Sequence, residues 1–112
     1  MNEILALLCT HDCNFYGCWY PVPSTLIASH FKISRYKALK ELHKLRDQGL
    51  IVSNIHCEYS EWDCRYHLYR GFNVTKAAKK TDEYKAAWEK EREACKECFG
   101  YDIGELKLDE EL

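Results

Sequence analysis

Between Ser24 and Ile51 the chain reads STLIASHFKISRYKALKELHKLRDQGLI, two helical patterns with only Lys32 and Ile33 between the end of one and the cap of the next. Ser24 is a candidate N-cap for a helix over Thr25–Phe31, whose apolar positions are Leu26, Ile27 and Phe31. Ser34 is a candidate N-cap for a second helix over Arg35–Gln48. In that helix Leu39, Leu42 and Leu45 stand three apart, Ala38 completes the stripe, and Gly49 sits where a left-handed residue ends a helix. Lys32 in the turn is asked for a backbone conformation that is mildly costly outside glycine.

The flanking segments complete an α+β chain, mainly α with a small β-hairpin. Residues 2–12 predict a short helix with Ile4, Leu5, Leu8 and Cys9 on one face. Residues 14–23 (NFYGCWYPVP) read as a loop with a short extended segment around Cys18–Val22. After the glycine, Leu50–Tyr59 is β-rich with Leu50, Val52 and Ile55 apolar, and Ser60–Asp63 makes a turn. In the strand that follows, Cys64, Tyr66, Leu68 and Arg70 alternate with Arg65, His67 and Tyr69, so the two strands pair as a hairpin. A last helix spans Asp82–Phe99, and an acidic tail follows it. The expected division is residues 1–80 as one domain, with 81–112 as an appended helix and tail.

Size and charge narrow the functional classes. With 112 residues, 46% hydrophobic and 30% charged, the chain suits one modest core. No apolar run approaches the roughly 20 residues needed to span a bilayer. The apolar stretch Ile4–Cys9 lacks a basic leader, so the expectation is a cytoplasmic protein. The net charge of −2 conceals a partition. Residues 30–49 carry six cations against two acids, residues 65–81 five cations and no acid, and residues 82–112 eleven acids against five bases. A basic middle with an acidic tail marks an anion-binding face.

The stretch Ser24–Ile51 resembles the helix-turn-helix of bacterial and phage winged-helix transcription regulators of the MarR, PadR and GntR groups. Ala28 supplies the small residue of the first helix, Ile33 the apolar residue of the turn, and Ser34 the cap. Arg35-Tyr36-Lys37 open the second helix, and Gly49-Leu50-Ile51 lead out into the wing. The likeness covers about residues 20–72. It implies a winged helix-turn-helix that binds double-stranded DNA, a non-enzymatic regulator acting as a homodimer.

Physical reasoning points to the same residues. A helix with its side chains is about 10–12 Å across and enters the roughly 12 Å major groove of B-DNA, its first turn nearest the base edges. Arg35, Tyr36 and Lys37 occupy that turn and are the candidates for reading sequence. Lys40 and Lys44 are candidates for gripping phosphate, and Ser24, Thr25 and Ser34 for donating to it. Arg65 and Arg70 on the return strand of the hairpin are secondary candidates. The hairpin turn, with Glu58, Glu61 and Asp63, is acidic and argues against deep insertion of the tip.

Seven cysteines without a secretory signal argue against a disulfide framework. Zinc is a subordinate reading, with Cys9, Cys13, Cys18, Cys95 and Cys98 as candidate ligands. Cys57 and Cys64 are expected to face each other across the hairpin. The CxxC of Cys95 and Cys98 falls within an amphipathic helix, where the spacing already suits a core. No cofactor is therefore expected. No nucleophile elbow, phosphate-binding loop or dinucleotide fingerprint occurs, so catalysis is not expected.

In the last helix Tyr84, Trp88, Glu91, Cys95 and Cys98 follow alternating spacings of four and three, with Phe99 beside them. The expectation is a homodimer seam through Tyr84, Trp88, Cys95 and Phe99. Packing on the chain's own first helix is the competing arrangement. Two functional alternatives stand beside DNA binding: a protein-interaction module on the same scaffold, and a metal- or thiol-responsive regulator.

Overall fold

A computed structural model describes residues 1–14 and 20–108. Its elements run α1 (Glu3–Asp12), α2 (Ser24–Phe31), α3 (Arg35–Asp47), β1 (Ile51–Ser60), β2 (Arg65–Val74), a 3₁₀ turn (Lys76–Lys80) and α4 (Asp82–Phe99). The fold is α+β, with four helices and one two-stranded antiparallel sheet among the described residues.

Local chemistry accounts for the element ends. The side chain of Asn2 caps α1 by accepting from the Leu5 amide at 3.0 Å. Ser34 caps α3 as expected, its Oγ accepting from the Lys37 amide at 3.1 Å. Thr81 caps α4 by accepting from the Tyr84 amide. Between α2 and α3, Lys32 adopts the left-handed conformation with φ 55°. The Ile33 amide then closes back on the Ala28 carbonyl at 3.0 Å, which ends α2 and starts α3 two residues later. Gly49 is also left-handed, with φ 78°, and lets the chain leave α3 for β1.

The cap predicted for α2 is different. Ser24 is the first helical residue, Pro23 holds the cap position without a side-chain cap bond, and Ser24 is buried. Proline suits the edge of a helix because the first amides have no intrahelical acceptor anyway.

One core unites the chain. Leu5, Leu8 and Cys9 of α1 meet Ile27 and Ala28 of α2, and Ala38, Leu42 and Leu45 of α3. Ile51 and Phe72 at the hairpin root, Ala78 of the 3₁₀ turn, and Tyr84 and Ala87 of α4 complete it. Leu26, expected among the apolar positions, is instead 54% exposed. Leu26 and Ile27 are adjacent on a helix, about 100° apart, and Ile27 takes the core side.

The hairpin pairs in register from Ile51 opposite Val74 to Ser60 opposite Arg65. Val22 adds a single bridge outside β2, exchanging hydrogen bonds with Phe72 at 3.0 and 2.9 Å. Gly71 is required beside it. A Cβ at that position would lie 2.6 Å from the Pro21 carbonyl carbon. The extended segment expected around Cys18–Val22 is thus reduced, among the described residues, to Val22, and Cys18 lies outside them. Cys57 and Cys64 do not face each other, for Cys57 pairs with Leu68 and Cys64 sits in the turn with φ 56°.

Candidate nucleic-acid interface

Helical geometry distributes the α3 cations unequally. With Ala38, Leu42 and Leu45 turned into the core, a rotation of about 100° per residue sets Tyr36 and Lys40 on the opposite side. Tyr36 is 77% exposed and Lys40 is exposed one turn on. Arg35 and Lys37 belong to opposite flanks. Arg35 leans toward α2, where its Nε donates to Ser24 Oγ at 3.4 Å. Lys37 lies over a hollow it shares with Asn2, Glu3, Phe31 and Glu41. The three residues of the first turn therefore fan out instead of forming one reading head. The outward row is Tyr36 and Lys40, with the exposed His43 beside it.

Lys44 is held at its own helix. Its Nζ forms a 3.3 Å ion pair with Glu41, which competes with any phosphate. Such exposed pairs contribute about 0–1 kcal/mol, so a polyanion can displace Glu41. Arg46 is 3.8 Å from Asp47 at the far end of the helix.

At the α2 edge, Thr25 is exposed, and it lines a shallow hollow with Pro23, Leu26, Ser29 and His30. Ser24 is not available in the same way, because it is buried and accepts from Arg35. The Ser34 hydroxyl oxygen is engaged by the Lys37 amide but remains at the surface. Leu26, an apolar position of the helix by sequence, stands at the surface. The signal for this is the Leu-Ile pair in an eight-residue helix, only one of which can face inward.

On the hairpin, Arg70 lies on the side carrying Tyr66 and Leu68, and donates to Ser53 Oγ at 3.2 Å. Arg65 is exposed at the start of β2, on the other side. The turn organises itself around Asp63, which accepts from the Arg65 amide at 3.2 Å and pairs with His67 at 2.7 Å. Burial raises the Asp63 carboxyl, but the bonds from His67 and Arg65 outweigh it and leave the pKa lowered.

Of the residues expected to form a dimer seam on α4, Tyr84, Trp88 and Cys95 turn toward the chain itself. Tyr84 and Cys95 are buried within the single chain, and Tyr84 donates to Asp12 of α1 at 2.7 Å. Trp88 is partly buried and donates through its indole nitrogen to the Gly104 carbonyl at 2.9 Å. The helix therefore packs on α1 and under the tail. Phe99 stays 54% exposed.

Cys9, Cys13 and Cys95 are placed as hydrophobes. Burial, then the neighbouring Cys13, pushes the Cys9 thiol up to about 12, and burial pushes Cys13 up to about 11. Burial and Glu91 raise Cys95. Cys98 is exposed at the end of α4. Among the described residues no group of three or more His, Cys, Asp or Glu side chains is arranged to hold a metal ion. Among the same residues no helix is long and apolar enough to cross a membrane. Compared with known protein families, curated proteins and solved structures, the chain matches none of them.

Proposed function

We propose that this chain binds double-stranded DNA as a winged helix-turn-helix regulator, with α3 in the major groove and the hairpin as its wing. The observation that carries the reading is the outward row of α3. Tyr36 and Lys40 project from the side opposite Ala38, Leu42 and Leu45, on a helix presented by the three-residue turn Lys32–Ser34. The bridge between Val22 and Phe72 supports it, because it pins the segment before α2 to the root of the hairpin.

The roles follow from position. Tyr36 contacts a thymine methyl or a phosphate, and Lys40 grips the backbone or a base edge. Arg35 and Lys37, on the flanks, reach the two walls of the groove. Lys44 joins them once Glu41 is displaced. Arg65, on the other side of the hairpin, contacts flanking backbone, and the acidic turn stays clear of the phosphates.

Selection of bound sequences from a random duplex pool tests the proposal. An enriched motif is the expected result, and an inverted repeat with half-sites roughly 10 bp apart would identify a pair of chains as the binding form. No enrichment at low salt would reassign the scaffold to protein interaction.

A further inference from the structure

The side of the hairpin that enters the core does not end where the core ends. Ile51 and Phe72 are buried at its root, and the same side continues outward through Ile55 opposite Arg70, Cys57 opposite Leu68, and Tyr59 opposite Tyr66. Ile55 is 62%, Tyr66 74% and Leu68 73% exposed, and Tyr59 is half-exposed. Sheets normally alternate apolar-in and polar-out, and a long apolar edge left open invites association. This ribbon keeps its apolar side after running out of chain to pack on.

We infer that this distal face is a self-association surface whose occupant is the same face of a second copy. Two observations select that occupant. The first is area. Ile55, Cys57, Tyr59, Tyr66, Leu68 and the Arg70 stem form one continuous apolar patch on the order of several hundred Å², the scale at which an exposed patch marks an association site. The second is self-complementarity along the ribbon. Its tip end carries the Tyr59–Tyr66 ring pair, with centroids 5.1 Å apart, and the acid Glu61 beyond them. Its root end carries Ile55 and the cation Arg70.

A two-fold axis crossing the strands at the Cys57–Leu68 pair lays the tip of one ribbon over the root of the other. Tyr66 then faces Arg70 of the second copy as a cation–π contact, Tyr59 faces its Ile55, and Leu68 faces its own mate. The tip-on-tip arrangement instead sets Arg70 against Ile55 of the second copy, forfeits the cation–π contact and gathers both Arg70 side chains at one end. This surface is separate from the outward row of α3, so the inference stands or falls without DNA.

Sedimentation equilibrium of the full chain across the micromolar range, without nucleic acid, is the test. The wild type forms a dimer. Leu68→Asp weakens it by about 30-fold or more, the loss typical of a central interface residue. Because Leu68 is solvent-exposed in the single chain, the variant keeps the wild-type thermal midpoint of its monomer. Cys57 lies on the proposed axis, and packed sheets are about 10 Å apart, so a short bismaleimide links Cys57 to its mate when Cys18, Cys64 and Cys98 are serine. Moving that lone thiol to the other side of the ribbon, with Cys57→Ser and Val52→Cys, abolishes the link. A chain that stays monomeric throughout overturns the inference. So does a dimer that ignores Leu68→Asp and gives no Cys57 link.

Discussion

The phenol of Tyr84 donates a 2.7 Å hydrogen bond to Asp12, tying the last helix to the end of the first across 72 positions of sequence. Burial, with the bonds to Asp12 and Cys13, holds its proton far above the ordinary tyrosine range, so the phenol stays a donor at any physiological pH. Tyr84→Phe removes that donor from a part-buried carboxylate and destabilises the fold by about 1–3 kcal/mol. Tyr84→Ala also empties the α1–α4 contact and costs about 3–5 kcal/mol. Denaturant melts measure both. The oligomeric state of the folded Tyr84→Phe variant stays that of wild type, because the residue faces its own chain.

Gly71 and Pro21 make the closest approach at the hairpin. Gly71→Ala drives a methyl group into the Pro21 backbone, at 2.6 Å from its carbonyl carbon. Overpacking of this kind costs about 1–3 kcal/mol. The loss appears first in amide exchange at Val22 and Phe72, whose mutual bonds tether this segment to β2. Unchanged protection there would contradict the close approach.

Lys32 carries the turn between α2 and α3 in a conformation that L-residues avoid. Lys32→Gly removes the Cβ conflict and gains about 0.5–1 kcal/mol, after allowance for glycine's greater freedom in the unfolded chain. A raised thermal midpoint checks it, and a lowered one would mean that the lysine side chain stabilises the turn.

The tail is held to α4 by Asp102. Its carboxylate accepts from Arg92 at 2.8 and 3.1 Å and from the Gly104 amide at 2.9 Å. The Arg92 guanidinium, then the Gly104 amide, holds its pKa well below the ordinary 3.8. A depressed carboxylate stabilises the folded form above its unfolded pKa, and the contribution is lost as pH falls through the lower folded value. Tail protection, followed by hydrogen exchange at Gly104, is therefore constant from neutral pH to about pH 5 and declines below about pH 4. Asp102→Asn lowers protection at neutral pH and flattens that decline.

Much of this was legible in the sequence, for identifiable reasons. The turn at Lys32-Ile33, the Ser34 cap, the Gly49 exit and the bounds of α4 follow from local backbone chemistry, which neighbouring residues decide. The partner of α4 does not. A four-three spacing describes an apolar stripe equally well whether it meets a second chain or α1, and only the tertiary fold brings Asp12 to Tyr84. Helix rotation explains the dispersal of Arg35, Tyr36 and Lys37, and was derivable once Ala38, Leu42 and Leu45 were taken as core. The open ribbon face was hidden because Ile55, Tyr66 and Leu68 look like core residues, and alternation alone does not tell how far the core beneath them extends.

The outward row of α3 is proposed to engage DNA. The most direct measurement is the affinity for duplex DNA, across a salt series, of wild type and of the double variant Tyr36→Ala, Lys40→Ala. Both residues are exposed, so the variant keeps its thermal midpoint. Wild-type affinity is expected to fall linearly with salt on logarithmic axes, and the variant to show affinity reduced at least about tenfold and a shallower slope. A variant that binds like wild type, with the same slope, would contradict the proposal.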